Sequence, residues 1–271
     1  MIEGNPFAQS RFEQRLLTLL GGTLISLAEA MGRVVILTRQ TLYWVKSAER
    51  HAVFEQIVAM GVESVPVTTL TSLFTGMVLA LQTGFSFRKV FNEPIYVGTV
   101  VGLSLVKELG PVLTAVVVAG RVGASIAAEL GTMKVTEQID ALYTLGTNPV
   151  KYLSVPRFIA CVFSIPLLTA MAIFTGIIGG GIIAVYRLGI PLTVYTNEIK
   201  QIGWKECSHG ITKSFFFAAI IVIVSCYKGF TCEGGAEGVG KATTSAVVIS
   251  MVMVLVFDYF LSAILVSFGI G

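Results

Sequence analysis

FIACVFSIPLLTAMAIFTGIIGGGIIAVY, Phe158 to Tyr186, contains no acidic or basic residue. A helix needs about 20 apolar residues to cross the hydrocarbon core of a bilayer, and this run is longer than that. A second stretch, Ser64 to Phe87, is uncharged in the same way. Charged residues make up 13% of the chain and hydrophobic residues 54%, whereas a soluble domain carries about 25% charged residues. The sequence therefore predicts a helical protein that crosses a membrane several times.

Apolar runs of sufficient length predict five spanning segments in an all-α polytopic fold. They cover residues 64–87, 95–119, 158–186, 211–227 and 243–267. The fourth is the weakest because only a short part of it is uncharged, so we expect Lys213 to extend its ammonium group back to the membrane interface. We treat the chain, 1–271, as a single domain, with the transmembrane bundle at about 64–267.

The stretch RFEQRLLTLLGGTLISLAEA (11–30) could be a signal peptide, a sixth span or a helix lying in the membrane interface. Glu3 and Glu13 disfavour a signal peptide. If the helix lies flat, 12 of the 19 Lys and Arg residues are cytoplasmic and 6 are outside; if it spans, 8 are inside and 10 outside. The positive-inside rule favours the flat arrangement. We therefore expect an interfacial amphipathic helix at about 11–50, a cytoplasmic N-terminus and a periplasmic C-terminus.

The polar segment ELGTMKVTEQIDALYTLGTNP (129–149) links the second and third predicted spans on the cytoplasmic side. Its apolar residues Val135, Ile139 and Leu142 have helical spacing, and Gly146 provides a stop signal. The sequence predicts a short amphipathic helix at about 132–146. A helix that rests on the bilayer usually has a basic polar face. The polar face here is acidic, which favours contact with a protein partner.

Lys107 and Glu108 fall near the middle of the second predicted span. A charge at the bilayer centre costs about 2.5–3.5 kcal/mol, and neighbouring residues on a helix do not face each other. Each charge therefore needs another partner or a water-filled cavity. Asp258, in the last span, is a candidate partner for Lys107, and we expect Gly110-Pro111 to break or kink the helix. A structural ion pair and a cavity for an amphiphilic substrate both remain open.

Several motifs argue against catalysis by this chain. The segment Gly235–Lys241 fits G-x-x-x-x-G-K, but Ala242 follows where a phosphate-binding loop needs Ser or Thr. If the protein uses ATP, another chain hydrolyses it. His51 and His209 are the only histidines and are predicted on opposite sides of the membrane, so we expect no catalytic or metal site. The net charge of +3 gives no reason to expect a nucleic-acid partner.

Small residues Gly176-x-x-x-Gly180 form a face for close helix packing in the third predicted span. The sequence does not decide whether this face packs inside the chain or against a second copy. The four cysteines show no CxxC spacing, and we interpret them as structural or incidental.

The stretch KELGPVLTAVVVAGRVGASIAAELGTMKVTEQIDALYTLGTNPVKYLSVPR (107–157) strongly resembles the permease subunit MlaE of Mla-type ABC transporters, which are associated with MCE proteins and carry lipids. The motifs ELGPV, AGRVGA, AELG, TEQIDAL and NPVKYL-x-x-PR occur together and in order. GMVLALQ (76–82) and GVGKATTSAVV (238–248) also fit, and the resemblance extends from about residue 11.

The resemblance implies an interfacial helix, five spans and a homodimer in the bacterial inner membrane. It implies a cytoplasmic ABC ATPase that holds ATP and Mg, so that this chain has no cofactor of its own. It further implies a periplasmic MCE-domain hexamer, often a STAS-domain protein, and a glycerophospholipid substrate moved between the inner and outer membranes. The polar segment 129–149 corresponds to the coupling helix.

Residue roles follow from the same resemblance. The residues expected to line or adjoin the lipid path are Leu79, Gln82, Phe85, Lys107, Glu108 and Leu109. The residues expected to contact the ATPase are Glu129, Glu137, Gln138, Asp140 and Leu142. Two other classes are weighed against this function. One is a proton-driven transporter of an amphiphile that uses Glu108 or Asp258 as a relay, and the other is a passive scaffold for other subunits.

Overall fold

The computed structural model describes residues 28–91 and 96–269, together with Ile25. In this part of the chain the regular structure is helical, without strands. Five helical segments are long and apolar enough to cross a membrane: Arg50–Val90, Val97–Val135, Val150–Tyr186, Trp204–Phe230 and Gly235–Ser267. The predicted all-α polytopic fold with five spans is confirmed. Each span is longer than its apolar run, because helical turns that carry charges continue it at one or both ends.

The helices are labelled here in chain order. They are α1 (28–44), α2 (Arg50–Met60), α3 (Val65–Phe91), α4 (Val97–Val135), α5 (Gln138–Thr144), α6 (Val150–Tyr186), α7 (Leu192–Lys200), α8 (Trp204–Phe230) and α9 (Gly235–Ser267). Span 1 comprises α2 and α3, and spans 2 to 5 are α4, α6, α8 and α9. Of the interfacial helix predicted at 11–50, residues 11–24, 26 and 27 lie outside the described part.

Wide π-helical turns interrupt the spans at three places: Leu105–Leu109 and Ala119–Gly123 in α4, and Val150–Ser154 in α6. Pro111 and Pro156 each follow one of these turns by two residues. Proline has no N–H to donate, and its ring crowds the carbonyl four residues earlier, which is relieved by a wider turn. The disturbance expected at Gly110-Pro111 is thus present as a wide turn, and the helix continues through it.

Glycines bring spans 1 and 3 into direct backbone contact. A Cβ on Gly76 of α3 would collide with the carbonyl group of Gly176 in α6, and one on Gly179 would collide with the carbonyl of Leu73. The small-residue face of the third span therefore packs inside the chain, against span 1. Span 3 thus packs directly on span 1, whereas span 5 packs on spans 2 and 4.

Helix α7 packs over the first turns of α4 and the last turns of α6. The hydroxyl of Tyr195 donates a hydrogen bond to the carbonyl oxygen of Ile177 at 2.9 Å, and burial raises the pKa of Tyr195 to about 12. Glu198 Oε2 accepts hydrogen bonds from the N–H groups of Gly98 (2.6 Å) and Thr99 (3.2 Å). These donors lie in the first turn of α4, where N–H groups have no partner within the helix. The segment 187–203, between spans 3 and 4, thus caps the start of span 2.

Span 5 is the least covered helix of the bundle. Only 11% of its apolar window is buried, against 50% for span 4. Helix α9 packs on α8 and on residues 110–135 of α4. Large apolar side chains such as Leu255, Tyr259 and Phe260 are exposed on its other side. A surface of this size requires lipid or a second protein to cover it.

Candidate functional site

A buried lysine joins three spans at membrane depth. Lys213 Nζ of α8 lies 2.6 Å from Glu108 Oε2 of α4 and 2.8 Å from Asp258 Oδ1 of α9. The Lys213 side chain is fully buried, whereas Glu108 is 47% exposed. Ser262 adds its hydroxyl to the group, 3.3 Å from Glu108 Oε1. An ammonium group removed from water is tolerated only when it is closely paired, and here two carboxylates pair with it.

Close packing of α8 on the first wide turn of α4 makes this arrangement possible. A Cβ on Gly210 would collide with the carbonyl oxygen of Val106. The absence of a side chain at Gly210 therefore lets the two backbones touch, one turn before Lys213. The wide turn Leu105–Leu109 carries Glu108 toward the same point.

Two sequence predictions about these charges are wrong. Lys213 does not extend to the interface, because α8 begins at Trp204 and nine residues of helix place Lys213 about 13 Å inside it. Asp258 pairs with Lys213 and not with Lys107. Lys107 is half-buried, and no acidic group of residues 28–91 or 96–269 forms an ion pair with it.

An apolar cleft of about 390 Å³ is lined by one face of α3 and by Leu109 of α4, the residue that follows Glu108. Its lining consists of Phe74, Thr75, Val78, Leu79, Gln82 and Leu109. The structure thus brings three of the predicted lipid-path residues together, namely Leu79, Gln82 and Leu109. Phe85 lies outside this lining, one turn further along α3, and its side chain is 51% exposed. Glu108 belongs to the group around Lys213, next to the cleft in sequence.

Helix α5, between spans 2 and 3, is shorter than the predicted segment 132–146. Val135 ends α4, and Glu137 adopts a left-handed conformation (φ 61°) that turns the chain before α5 begins at Gln138. Gly146 has φ 73°, and its N–H donates to the carbonyl of Tyr143 while the next N–H donates to that of Leu142, each at 3.0 Å. These two bonds form a Schellman motif, so the predicted stop at Gly146 is confirmed.

The surface that α5 offers to a partner differs from the predicted one. Ile139 is 4% exposed, and Leu142 is half-buried against the main hydrophobic core. Tyr143 (61%) and Leu145 (78%) are the exposed large apolar side chains of this helix and its end. Glu137 and Gln138 are also exposed. Leu145 continues the apolar spacing of the segment, but neither Leu145 nor Tyr143 was among the residues predicted to contact the ATPase.

Two of the predicted ATPase-contacting residues take part in ion pairs within the chain. Glu129 Oε2 lies 2.8 Å from Arg157 of α6, and Asp140 Oδ1 lies 3.0 Å from Lys134 at the end of α4. Both carboxylates remain about half exposed. These ion pairs therefore join α4, α5 and α6 at one end of the bundle, and both carboxylates are exposed enough to contact a partner. Among the described residues, no three acidic, His or Cys side chains are grouped to hold a metal ion.

Residues 53–264 match the family model described as Permease MlaE. This range includes most of each span, the charged group around Lys213 and helix α5. The chain belongs to the MlaE permease family. It is 46% identical over 216 residues to a protein of Rickettsia typhi named "Probable ABC transporter permease protein", which covers 79% of this chain and 82% of the relative. A protein of the same name from a Synechocystis strain is 43% identical over 215 residues, 79% of this chain and 81% of its own length.

A chloroplast protein of Arabidopsis thaliana, "Protein TRIGALACTOSYLDIACYLGLYCEROL 1, chloroplastic", is 41% identical over 212 residues. The match covers 77% of this chain and 60% of the relative. Together with the five spans, these comparisons identify this MlaE-type protein as a multi-pass membrane permease subunit of the ABC-transporter class, which works with an ATPase.

Proposed function

We propose that this permease moves glycerophospholipids between the inner and outer membranes, driven by ATP hydrolysis on a separate cytoplasmic ATPase. The observation that carries the proposal is an apolar cleft on α3 and α4 whose lining residue Leu109 directly follows Glu108, a member of the charged group around Lys213. A phospholipid has the same division into apolar chains and a charged headgroup. Phe74, Val78 and Leu79 would contact acyl chains, and Gln82 and Glu108 would meet polar groups.

The half-buried Lys107 supports a polar substrate group at this place. Glu108 and Asp258 share Lys213, so the formal charge of these three residues is negative, and Lys107 brings the sum to zero. A net neutral group of charges suits a phospholipid better than a free anion. The phospholipid headgroup then meets no large uncompensated charge. The lipid name carried by the Arabidopsis relative agrees with a lipid substrate.

The proposed assembly is a homodimer in the bacterial inner membrane, with one ATPase on each copy. The exposed side chains of Tyr143 and Leu145 would dock into the ATPase, with Glu137, Gln138 and the half-exposed carboxylates of Glu129 and Asp140 around them. A periplasmic MCE-domain hexamer and a STAS-domain protein would complete the complex. The apolar outer surface of α9 supports the need for a covering partner or lipid.

Docking through α5 can be tested with Leu145→Asp in the complex expressed with its neighbouring genes. Leu145 is 78% exposed and can be changed without loss of core packing; Leu142 packs on the core, so a change there would mix folding with docking. Leu192→Asp on α7 is the matched control, since Leu192 is 60% exposed at the other end of the bundle.

We expect Leu145→Asp to reduce co-purified ATPase about tenfold or more, because a charge buried in an interface without a partner costs several kcal/mol, while Leu192→Asp retains the ATPase. ATPase recovery equal to wild type with Leu145→Asp would contradict the docking proposal. Phospholipid transfer between labelled vesicles by the wild-type complex tests the substrate. Transfer that needs a proton gradient and no ATP would instead support the proton-driven transporter.

A further inference from the structure

Arg121 joins span 2 to the bend in span 1. Its guanidinium donates hydrogen bonds to the Ala59 carbonyl (3.3 Å) and to Ser64 Oγ (2.7 Å), and forms an ion pair with Glu63. The bend is the short 3₁₀ turn Val62–Ser64 between α2 and α3. We call this set of contacts the Arg121 clamp.

The bend itself is tightly packed and has little freedom to move alone. Ser64 is fully buried, and its hydroxyl donates to the Met60 carbonyl at 2.6 Å. A Cβ on Gly61 would approach both the Ile57 carbonyl oxygen and Ser164 Oγ of α6 to 2.7 Å. The bend is therefore a defined position in the bundle to which Arg121 attaches α4.

The Arg121–Glu63 ion pair contributes little stability by itself. The Arg121 side chain is 34% exposed and that of Glu63 is 60% exposed, and pairs in such positions are worth about 0–1 kcal/mol. What distinguishes the clamp is geometry, because one planar guanidinium reaches three acceptors at once. Lysine, with a single ammonium group, cannot reproduce that arrangement.

The clamp joins α4 to the turn that immediately precedes α3, and residues of these two helices line the cleft. Leu109 of α4 is 12 residues before Arg121, or about 18 Å along the helix, and Leu79 of α3 is 15 residues after Ser64, or about 22 Å. The clamp thus holds α4 to the bend from which α3 begins, and the cleft lies about 20 Å further along both helices. A small rotation at the clamp changes the cleft width.

The last turns of α4 are also tied to α5 and α6 by ion pairs. Glu129 pairs with Arg157 of α6, and Lys134 pairs with Asp140 of α5. A polar cavity of about 310 Å³, lined in part by Glu63, Arg121 and Glu129, separates the clamp from the Arg157 pair. A displacement of α5 is therefore passed to α4, and the cavity leaves space for α4 to move against α2.

We propose that Arg121 is a positioning residue: its clamp is the pivot about which α3 and α4 open and close the cleft. The consequence for transport rests on the function proposed above. The pivot itself concerns only the distance between α3 and α4, which can be measured without transport. Loss of the clamp leaves the helices folded and lets the cleft width vary independently of α5.

Dipolar broadening between spin labels at Thr75→Cys and Leu109→Cys, on opposite walls of the cleft, measures its width. Cys161, Cys226 and Cys232 are buried, so only the half-buried Cys207 needs replacement by serine. The complex is reconstituted in lipid nanodiscs with an excess of unlabelled permease, so that only labels within one chain interact. The variants are Arg121→Lys, Arg121→Gln and the exchange Arg121→Glu with Glu63→Arg.

Lys241→Gln is the control, because it removes an ion pair with Glu237 in which both side chains are more than three-quarters exposed. We expect the labels to show one narrow distance in wild type and in Lys241→Gln, and a broader, longer distribution in Arg121→Gln and Arg121→Lys. The exchange should restore part of the narrow component. An unchanged distribution in Arg121→Gln would overturn the proposal.

A second measurement relates the pivot to transport in the same complexes. Arg121→Gln should transfer phospholipid at least fivefold more slowly per ATP hydrolysed, with an unchanged amount of bound ATPase. An unchanged transfer-to-hydrolysis ratio would overturn the link to transport. If the wild-type complex transfers no phospholipid, the proposed function fails, while the distance measurement still decides the pivot.

Discussion

At the scale of single residues, the arrangement around Lys213 shows how a charge is kept at membrane depth. One ammonium group contacts two carboxylates from different helices, so α4, α8 and α9 are held at the same point. Each charge would be costly alone, and the removal of one partner exposes that cost. The group is therefore a structural requirement of the bundle as well as a candidate part of the substrate path.

Lys213→Met tests this dependence. It leaves Glu108 and Asp258 close together without a cation, and we expect it to lower the free energy of unfolding by about 3–5 kcal/mol, as for other broken buried pairs. Adding Glu108→Gln and Asp258→Asn to the same chain removes the unpaired charges and should recover most of the loss. Chemical unfolding in mild detergent, followed by tryptophan fluorescence, gives the comparison. Equal stability of Lys213→Met and wild type would show that the carboxylates do not depend on the lysine.

At the scale of helices, glycine packing between α3 and α6 brings spans 1 and 3 into direct backbone contact. Gly76 and Gly176 meet backbone to backbone, so any side chain at Gly76 must push the two spans apart. The same separation would move the α3 wall of the cleft away from α4. Packing and cleft geometry are thus linked through one small residue.

We expect Gly76→Ala to lower stability by about 1–3 kcal/mol or more, the usual cost of inserting atoms into a packed interior. Gly32→Ala in α1 is the control, since nothing lies within 4 Å of a Cβ built there and alanine stabilises a helix by about 0.5–1 kcal/mol relative to glycine. Thermal denaturation of both variants in one detergent is the measurement. A Gly76→Ala protein as stable as Gly32→Ala would refute the close contact.

Sequence patterns predicted the helices better than the contacts between them. The five spans, the cytoplasmic helix and the stop at Gly146 follow from local hydrophobicity and backbone preference. The partner of Lys213 does not, because it depends on residues 105 and 45 positions away on other helices. The start of α8 at Trp204 was missed for a related reason. The helix continues through the charged residues Lys205, Glu206 and Lys213, whereas a span defined by apolar residues is interrupted by such charges.

At the scale of the whole molecule, the buried position of Lys213 sharpens the predicted orientation. Removing it from the outer loops leaves Arg88, Lys89, Arg187, Lys200 and Lys205 as the outside charges, against 12 on the cytoplasmic side. The excess of basic residues inside is therefore larger than the sequence count suggested. This excess favours a cytoplasmic α5 and a periplasmic α7.

A membrane-impermeant thiol reagent can test the orientation in intact cells. Thr144→Cys lies at the exposed end of α5, and Thr196→Cys lies in α7, where Thr196 is half-buried. After permeabilisation of the outer membrane alone, we expect labelling at position 196 and not at 144, and labelling of both after lysis. The reverse pattern would invert the topology and place the coupling helix away from any cytoplasmic ATPase.

The sharing of Lys213 by distant helices also has a consequence for biosynthesis. A ribosome delivers Glu108 to the membrane 105 residues before its lysine, so span 2 must wait with an unpaired carboxylate while α6 is inserted. We expect nascent chains that end near residue 200 to be short-lived targets of quality-control proteases, and chains that extend beyond α9 to escape them. A pulse-chase comparison of such truncations would reveal whether the late arrival of one side chain decides which newly made copies survive.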